Sequence, residues 1–243
     1  MAESARQKVH AILQLLERRF GKVKRHEFLP PPTSADMDAA LEVATRNSEI
    51  VAAAALGLHG PPDEGMEAAR RLMTHYVDWN EIRVANREAL ARAMGKDPRA
   101  AERAALLQRF LEAFFLRQRN MNLECLVGMK PGERKQFLGD LEVFTREEMA
   151  ALLLTCFAHP LLPPAEPVHR VAVRCGLLRA KVTVLQMSKV FENSLEAEEL
   201  LALYSHLYAV AWKTCHVEAP DCAHCPLKPR CPAARIFAKA ARH

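Results

Sequence analysis

The chain has 243 residues, half of them hydrophobic, 26% charged and 6% aromatic, with a formal net charge of +5. That balance excludes a disordered chain, and apolar runs such as residues 51–58 and 149–158 fall short of the roughly 18 residues of a membrane span. The first residues, Met1-Ala2-Glu3-Ser4-Ala5-Arg6-Gln7-Lys8, lead into no apolar core, so no secretory leader is expected and a cytoplasmic location is.

The sign of the charge varies along the chain. Residues 1–30 carry +4, residues 31–164 carry −3 and residues 165–243 carry +4. Two basic ends packed together would suit a polyanion, although solvated helix faces give the same count.

Ala, Leu, Arg and Glu dominate and β-branched residues are sparse, which is a helical composition. Val9, Ile12, Leu13, Leu16 and Phe20 recur at spacings of three and four, predicting an amphipathic helix that ends near Gly21. Residues 28–35 are a proline-rich connector. Ser34 or Asp36 then caps a helix running through Ala55, and residues 57–65, with two prolines, read as a break. Further helices are predicted at 66–76, 86–94, 99–119, 131–140, 146–158, 165–175, 182–191 and 195–214, with Pro131 suited to a first turn. Phe110, Phe114 and Phe115 fall at core spacing. Pro160, Pro163, Pro164 and Pro167 mark a bend and a candidate domain boundary. No segment alternates with period two for long, so the chain reads as all-α.

Four of seven cysteines crowd one stretch: Cys215, Cys222, Cys225 and Cys231, a C-x6-C-x2-C-x5-C pattern. Four thiolates in so short a loop can converge on one soft metal centre. Two disulfides are the bland alternative, disfavoured in a cytosolic chain with three further scattered cysteines, Cys125, Cys156 and Cys175. Zinc is the closer rival, but zinc ribbons present two short-spaced pairs, whereas one Cys-x2-Cys pair stands here between two singletons. A [4Fe–4S] cluster accepts such irregular spacing. His216 and His224 are not needed as ligands and read as surface residues.

That spacing resembles the iron–sulfur loop of the endonuclease III-like DNA glycosylases, the helix-hairpin-helix-GPD superfamily. Residues 163–177, PPAEPVHRVAVRCGL, are similar to the family's P-V-D-T-H-V-x-R-V-x-x-R-L-G-L, with Arg170, Val171, Arg174, Gly176 and Leu177 in register. Residues 141–160 track its L-P-G-V-G-x-K-T-A…F-x-x-P block through Leu141, Phe157 and Pro160, and residues 206–215 resemble the helix leading into the cluster. The resemblance spans residues 66–232, most firmly from 141 onward. It implies two helical lobes: a helical barrel over 31–164 with a degenerate helix-hairpin-helix, and a cluster lobe from 1–30 and 165–243 with its loop at 215–231. A [4Fe–4S] cofactor, double-stranded DNA in a cleft between the lobes and a monomeric state come with it.

The family's chemistry does not come with it. The hairpin Pro-Gly-Val-Gly is Glu142-Val143-Phe144-Thr145, without the glycines that let N–H groups approach a phosphate. Glu142, Glu147 and Glu148 would repel one. The position of the family's nucleophilic lysine is Glu147, and that of the aspartate assisting base departure is Ala165. His59 stands near the position of a gap-filling glutamine, with Asp63 as a retained aspartate. The expectation is a DNA-associated [4Fe–4S] protein of base-excision-repair ancestry without ordinary glycosylase or lyase activity. The alternatives are a monofunctional glycosylase with rearranged chemistry using Glu166, and a protein-interaction or electron-transfer module. Against Glu166, one residue along a helix rotates a side chain by about 100°.

For DNA contact the candidates are Lys228 and Arg230 in the cluster loop, with Lys213 and Arg170. Arg170 and Arg174, four apart on one helix face, suit packing equally well. His169, beside Glu166, reads as an ordinary polar residue. The run Asp78-Trp79-Asn80-Glu81-Ile82-Arg83-Val84 resembles a motif of bacterial endonuclease III-like paralogues, and there Asp78 caps a turn while Trp79 packs.

Overall fold

The computed structural model describes residues 5–29, 36–59 and 62–240, which are helical with no strand among them. In chain order the helices are α1 (Ala5–Phe20), α2 (Met37–Leu56), α3 (Pro62–His75), α4 (Trp79–Val84), α5 (Arg87–Ala93), α6 (Ala100–Gln118), α7 (Cys125–Gly128), α8 (Pro131–Asp140), α9 (Arg146–Phe157), α10 (Glu166–Arg174), α11 (Val184–Glu192), α12 (Ala197–Lys213) and α13 (Pro232–Ala240). They fall into two compact units: residues 25–157, and residues 1–24 with 158–243.

In the 25–157 unit, α2 packs against α3, α6 and α9. Asp36 caps α2, its carboxylate accepting the N–H groups of Asp38 and Ala39. Ser34 lies outside the described residues. The C-terminal half of α2 is fully buried through Ile50, Val51, Ala52, Ala53, Ala55 and Leu56. Its alanines leave room for α3 to come into backbone contact at Gly65, where a Cβ would stand 2.1 Å from the Ala53 carbonyl oxygen. Gly65, expected in a break, is therefore an interior helical residue placed for close approach, and α3 starts four residues before its expected start.

Next to that contact lies a buried charge. Arg103 of α6 is fully buried and pairs with Glu64 of α3 and, at 3.0 Å, with Asp97, while Arg99 reaches the same Glu64 at 2.6 Å. Phe110 and Phe114 are fully buried as expected, whereas Phe115 is half-buried under the Arg83 guanidinium. Asp78 caps α4 by accepting the Glu81 N–H at 2.7 Å, and Trp79 is buried. Arg134 closes α7, donating to the carbonyls of Leu126, Val127 and Met129 and stacking over Phe157. Residues 25–29 are pinned to the end of α9: Arg25 donates to the Leu154 and Thr155 carbonyls and Phe28 stacks on Phe157.

In the other unit, α1 lies along α12, and α10 contacts α11, α12 and α13. Val9, Ile12, Leu13 and Leu16 form the buried stripe of α1. Glu199 of α12 ties the pair at one end, accepting from Arg6 at 3.2 Å and from His10 at 2.6 Å. At the other, Phe20 stacks on buried His206.

Candidate functional site

The four-cysteine loop begins where α12 ends. The N–H groups of Thr214 and Cys215 both reach back to the Val210 carbonyl, and the Asp221 N–H bonds the Thr214 carbonyl at 2.7 Å, folding residues 215–221 into a closed excursion. The second half turns tightly: Lys228 N–H to Cys225 carbonyl, Arg230 to Leu227 and Cys231 to Lys228. Leu227 is buried in the middle of it, an anchor of about 1.5–3 kcal/mol.

Two arginines of α10 set the position of the first cysteine. Arg170 donates through Nε to the Cys215 carbonyl at 3.1 Å and through Nη2 to the Ala211 carbonyl at 3.5 Å. Arg174 donates to the His216 and Val217 carbonyls at 2.6 Å each and to Cys215 Sγ at 3.4 Å, with its plane over the Phe237 ring. The guanidinium of Arg170, a candidate for DNA contact, is thus committed to carbonyls of its own unit. The Arg-Val-x-x-Arg-x-Gly pattern is legible as architecture. Val171 is buried, and Gly176 adopts φ +80 beside Pro232, whose Cγ would stand 3.3 Å from an added Cβ.

Cys215, Cys222, Cys225 and Cys231 all line one cavity, together with Arg174, Lys228, Pro220, Ala233, Ala234 and Phe237. No cysteine of the chain is in a disulfide. Burial pushes the Cys222 and Cys231 thiols up, and the other loop cysteines add to the shift in each. Among the described residues, no three His, Cys, Asp or Glu side chains are grouped to hold a single metal ion. A [4Fe–4S] cluster instead takes one thiolate per iron, so its sulfurs surround a cube. The donor set fits such a group: four soft, free thiols around one largely apolar cavity, with a guanidinium N–H aimed at a sulfur. The remaining cysteines are packing residues. Cys156 and Cys175 are buried, Cys175 with a thiol pushed up to about 12, and burial raises Cys125 as well.

Lys228 and Arg230 are exposed on the loop, and Lys213 is exposed with its ammonium 5.2 Å from the Phe20 ring centroid. His216 and His224 are also exposed, His224 bonded to Asp221 at 2.7 Å.

At the start of α10, Ala165 is the N-cap and is fully buried, with no side chain to bond the helix end. Glu166 follows with its side chain 68% exposed, 3.7 Å from His169 Nδ1, while His169 Nε2 bonds the Val182 carbonyl at 2.7 Å. His169 thus ties α10 to the segment before α11.

The α8–α9 hairpin, in the 25–157 unit, is rebuilt as well. Its turn uses a left-handed residue, but this is Glu142 at φ 53. Thr145 and Glu148 then cap the start of α9 reciprocally: Thr145 Oγ1 accepts the Glu148 N–H at 3.2 Å, and the Glu148 carboxylate accepts the Thr145 N–H at 2.7 Å. Glu147, at the expected lysine position, is half-buried, and burial together with neighbouring Glu148 raises its pKa. The side chains of His59 and Asp63 lie outside the described residues.

Sequence reasoning missed α4, α7 and α13. The first two are too short for periodicity to register. For α13 a signal was present: Pro232 at a first helical position, followed by an amphipathic PAARIFAKA stretch.

No family model matches the chain. It is 24% identical over 196 residues to the DNA glycosylase/AP lyase ROS1 of Arabidopsis thaliana, a match covering 72% of this chain and 14% of that protein. Two solved structures of endonuclease III with DNA, a trapped covalent intermediate and a non-covalent complex, superpose with TM-scores of 0.59 at 17% and 18% identity. These cover 96% and 98% of this chain and 98% and 99% of theirs. A thermostable thymine-DNA glycosylase superposes at 0.57 with 12% identity over 95% of this chain and 98% of that one. The architecture is that of the all-helical DNA glycosylases. The chain has the fold of endonuclease III.

Proposed function

We propose that the chain is a monomeric [4Fe–4S] protein that associates with double-stranded DNA and lacks ordinary glycosylase or lyase chemistry. One observation carries the reading: a half-buried glutamate, Glu147, stands at the expected lysine position and a buried alanine, Ala165, at the expected aspartate position. A carboxylate cannot attack a sugar carbon as an amine does, and a methyl group can neither move a proton nor stabilise a developing cation. All four cysteines expected for the cluster, by contrast, are present and line one cavity.

Cys215, Cys222, Cys225 and Cys231 would each hold one iron. When bound, the cluster supplies covalent cross-links that hold the loop of Lys228 and Arg230 in one shape. Arg170 and Arg174 position the first ligand by holding the carbonyls around it. Lys228, Arg230 and Lys213 present ammonium and guanidinium groups to backbone phosphates, a sequence-independent and salt-sensitive contact.

The test uses anaerobically purified, cluster-loaded protein with intact, abasic-site, uracil, thymine-glycol and mismatch duplexes at low salt, scoring binding and base release together. Salt-sensitive binding without release is expected. Base release abolished by Glu166→Gln would make Glu166 a replacement carboxylate and overturn the non-catalytic reading. Absence of both binding and release would leave a protein-interaction module.

A further inference from the structure

We propose that a cavity beside the hairpin turn binds a phosphate group through Arg87 and Arg109, next to a turn whose Thr145 and Glu148 N–H groups are already bonded. The inference rests on the DNA-association reading for the source of that phosphate, a duplex backbone, but not for the site itself.

The cavity has a volume of about 530 Å³ and is bounded by α4, the first residue of α5, the C-terminal half of α6 and turn residues Glu142 and Val143. Three guanidinium groups reach it, and they are not equivalent. Arg83 is spent: it pairs with Glu112 at 2.5 Å, bonds Asn80 Oδ1 through Nε and Nη2, and stacks 4.2 Å over Phe115. Arg87 is anchored but not neutralised. Gln108 directs its amide nitrogen at the Ile82, Arg83 and Ala85 carbonyls, leaving its oxygen for Arg87 Nε at 3.3 Å. That single bond orients the guanidinium and leaves its terminal nitrogens unspent. Arg109 lies on the exposed side of α6. Among the described residues, neither Arg87 nor Arg109 has a carboxylate within 4 Å.

The turn that forms the opposite wall explains what such a pair is for. In an anion-binding hairpin the N–H groups at the helix start point at the ligand. Here the Thr145 N–H is taken by Glu148 and the Glu148 N–H by Thr145. The first turn of α9 therefore carries its own anion. Two guanidiniums one wall away provide fork donors suited to phosphate oxygens. Glu142 at the lip is the one unpaired carboxylate among the lining residues, and it opposes the anion without cancelling both arginines.

The test measures duplex affinity of the cluster-loaded protein across a salt series for wild type, for Arg87→Gln with Arg109→Gln, and for a control lacking two exposed charges elsewhere in the unit, Arg70→Gln with Lys96→Gln. The arginine pair should lower affinity at least tenfold and flatten the log–log salt slope by about 0.9, the loss of one phosphate contact. The control should change affinity less than threefold, and Glu142→Gln should raise it. Circular dichroism and the cluster's visible absorbance should be unchanged in all. Duplex binding that ignores the arginine pair, or falls equally in the control, overturns the cavity while leaving DNA association standing. A second arm titrates pyrophosphate by calorimetry. Pyrophosphate binding lost in the arginine pair, with no duplex binding by wild type, keeps the phosphate site and overturns DNA as its source. Binding of neither overturns both.

Discussion

Thr145 and Glu148 satisfy each other's backbone at the start of α9, each side-chain oxygen accepting the other residue's N–H. Such reciprocal capping is ordinary in helices, but in this fold it falls on the turn of a hairpin. It puts a covalently attached carboxylate on the Thr145 N–H, at the positive end of the helix.

The two halves of this cap should be energetically coupled. Thr145→Ala and Glu148→Ala are each expected to destabilise the 25–157 unit by about 1 kcal/mol, and the double variant by less than their sum. Chemical denaturation followed by circular dichroism measures the cycle. Strict additivity would mean the two bonds do not act as one cap.

Glu142 adopts φ 53, where a side chain is strained and glycine is not. Glu142→Gly should therefore stabilise the protein by up to about 1 kcal/mol, while Glu142→Val should destabilise it by more than that. Thermal melts of the two variants would reveal the opposite signs.

Arg174 makes three bonds to residues 215–217, one of them to the Cys215 sulfur. Arg174→Met keeps the bulk over Phe237 but removes all three donors. The variant is expected to fold and to lose iron several-fold faster to a chelator, followed by visible absorbance. Iron retention equal to wild type would show that the loop is held without α10.

His206 is buried with no hydrogen-bond partner at Nε2, and burial lowers its pKa below that of an exposed histidine. The unfolded chain then binds a proton that the folded one resists, so stability falls as pH drops through the ordinary histidine range and levels off below the lowered value. His206→Phe should flatten the stability profile between about pH 7 and pH 5 relative to wild type. A parallel shift of the whole curve, with no change of slope, would exclude the titration.

Arg103 is fully buried against Glu64 and Asp97. Arg103→Ala removes their buried partner, leaving Arg99 as the remaining cation beside Asp97 and half-exposed Glu64, and should cost about 1–3 kcal/mol. Arg103→Met with Glu64→Gln should recover much of that loss. Denaturant midpoints at constant slope would measure both.

Much of this molecule was legible in the sequence, for identifiable reasons. The long helices α1, α2, α6, α9 and α12 announce themselves because a buried stripe must recur every three to four residues. The cysteine loop is legible because the spacing of its cysteines is a local property of the chain. Arg170 was harder. Spacing put it on one face with Arg174, but only folding reveals that this face meets the carbonyls of residues 211 and 215–217 rather than solvent. Gly65 misled because a glycine that breaks a helix and one that lets two helices touch look alike in a sequence. The cavity of Arg87 and Arg109 could not be foreseen, since it depends on Gln108, more than twenty residues beyond Arg87, turning its oxygen toward that guanidinium.

The contact at Gly65 reaches beyond crowding. Its neighbour Glu64 is one of the two carboxylates that pair with Arg103, and it arrives there because α3 can press backbone to backbone on α2. A single methyl group at position 65 would lift the helix, and with it one of two negative charges, away from a buried guanidinium. The electrostatics of this interior are thus set by a missing carbon atom.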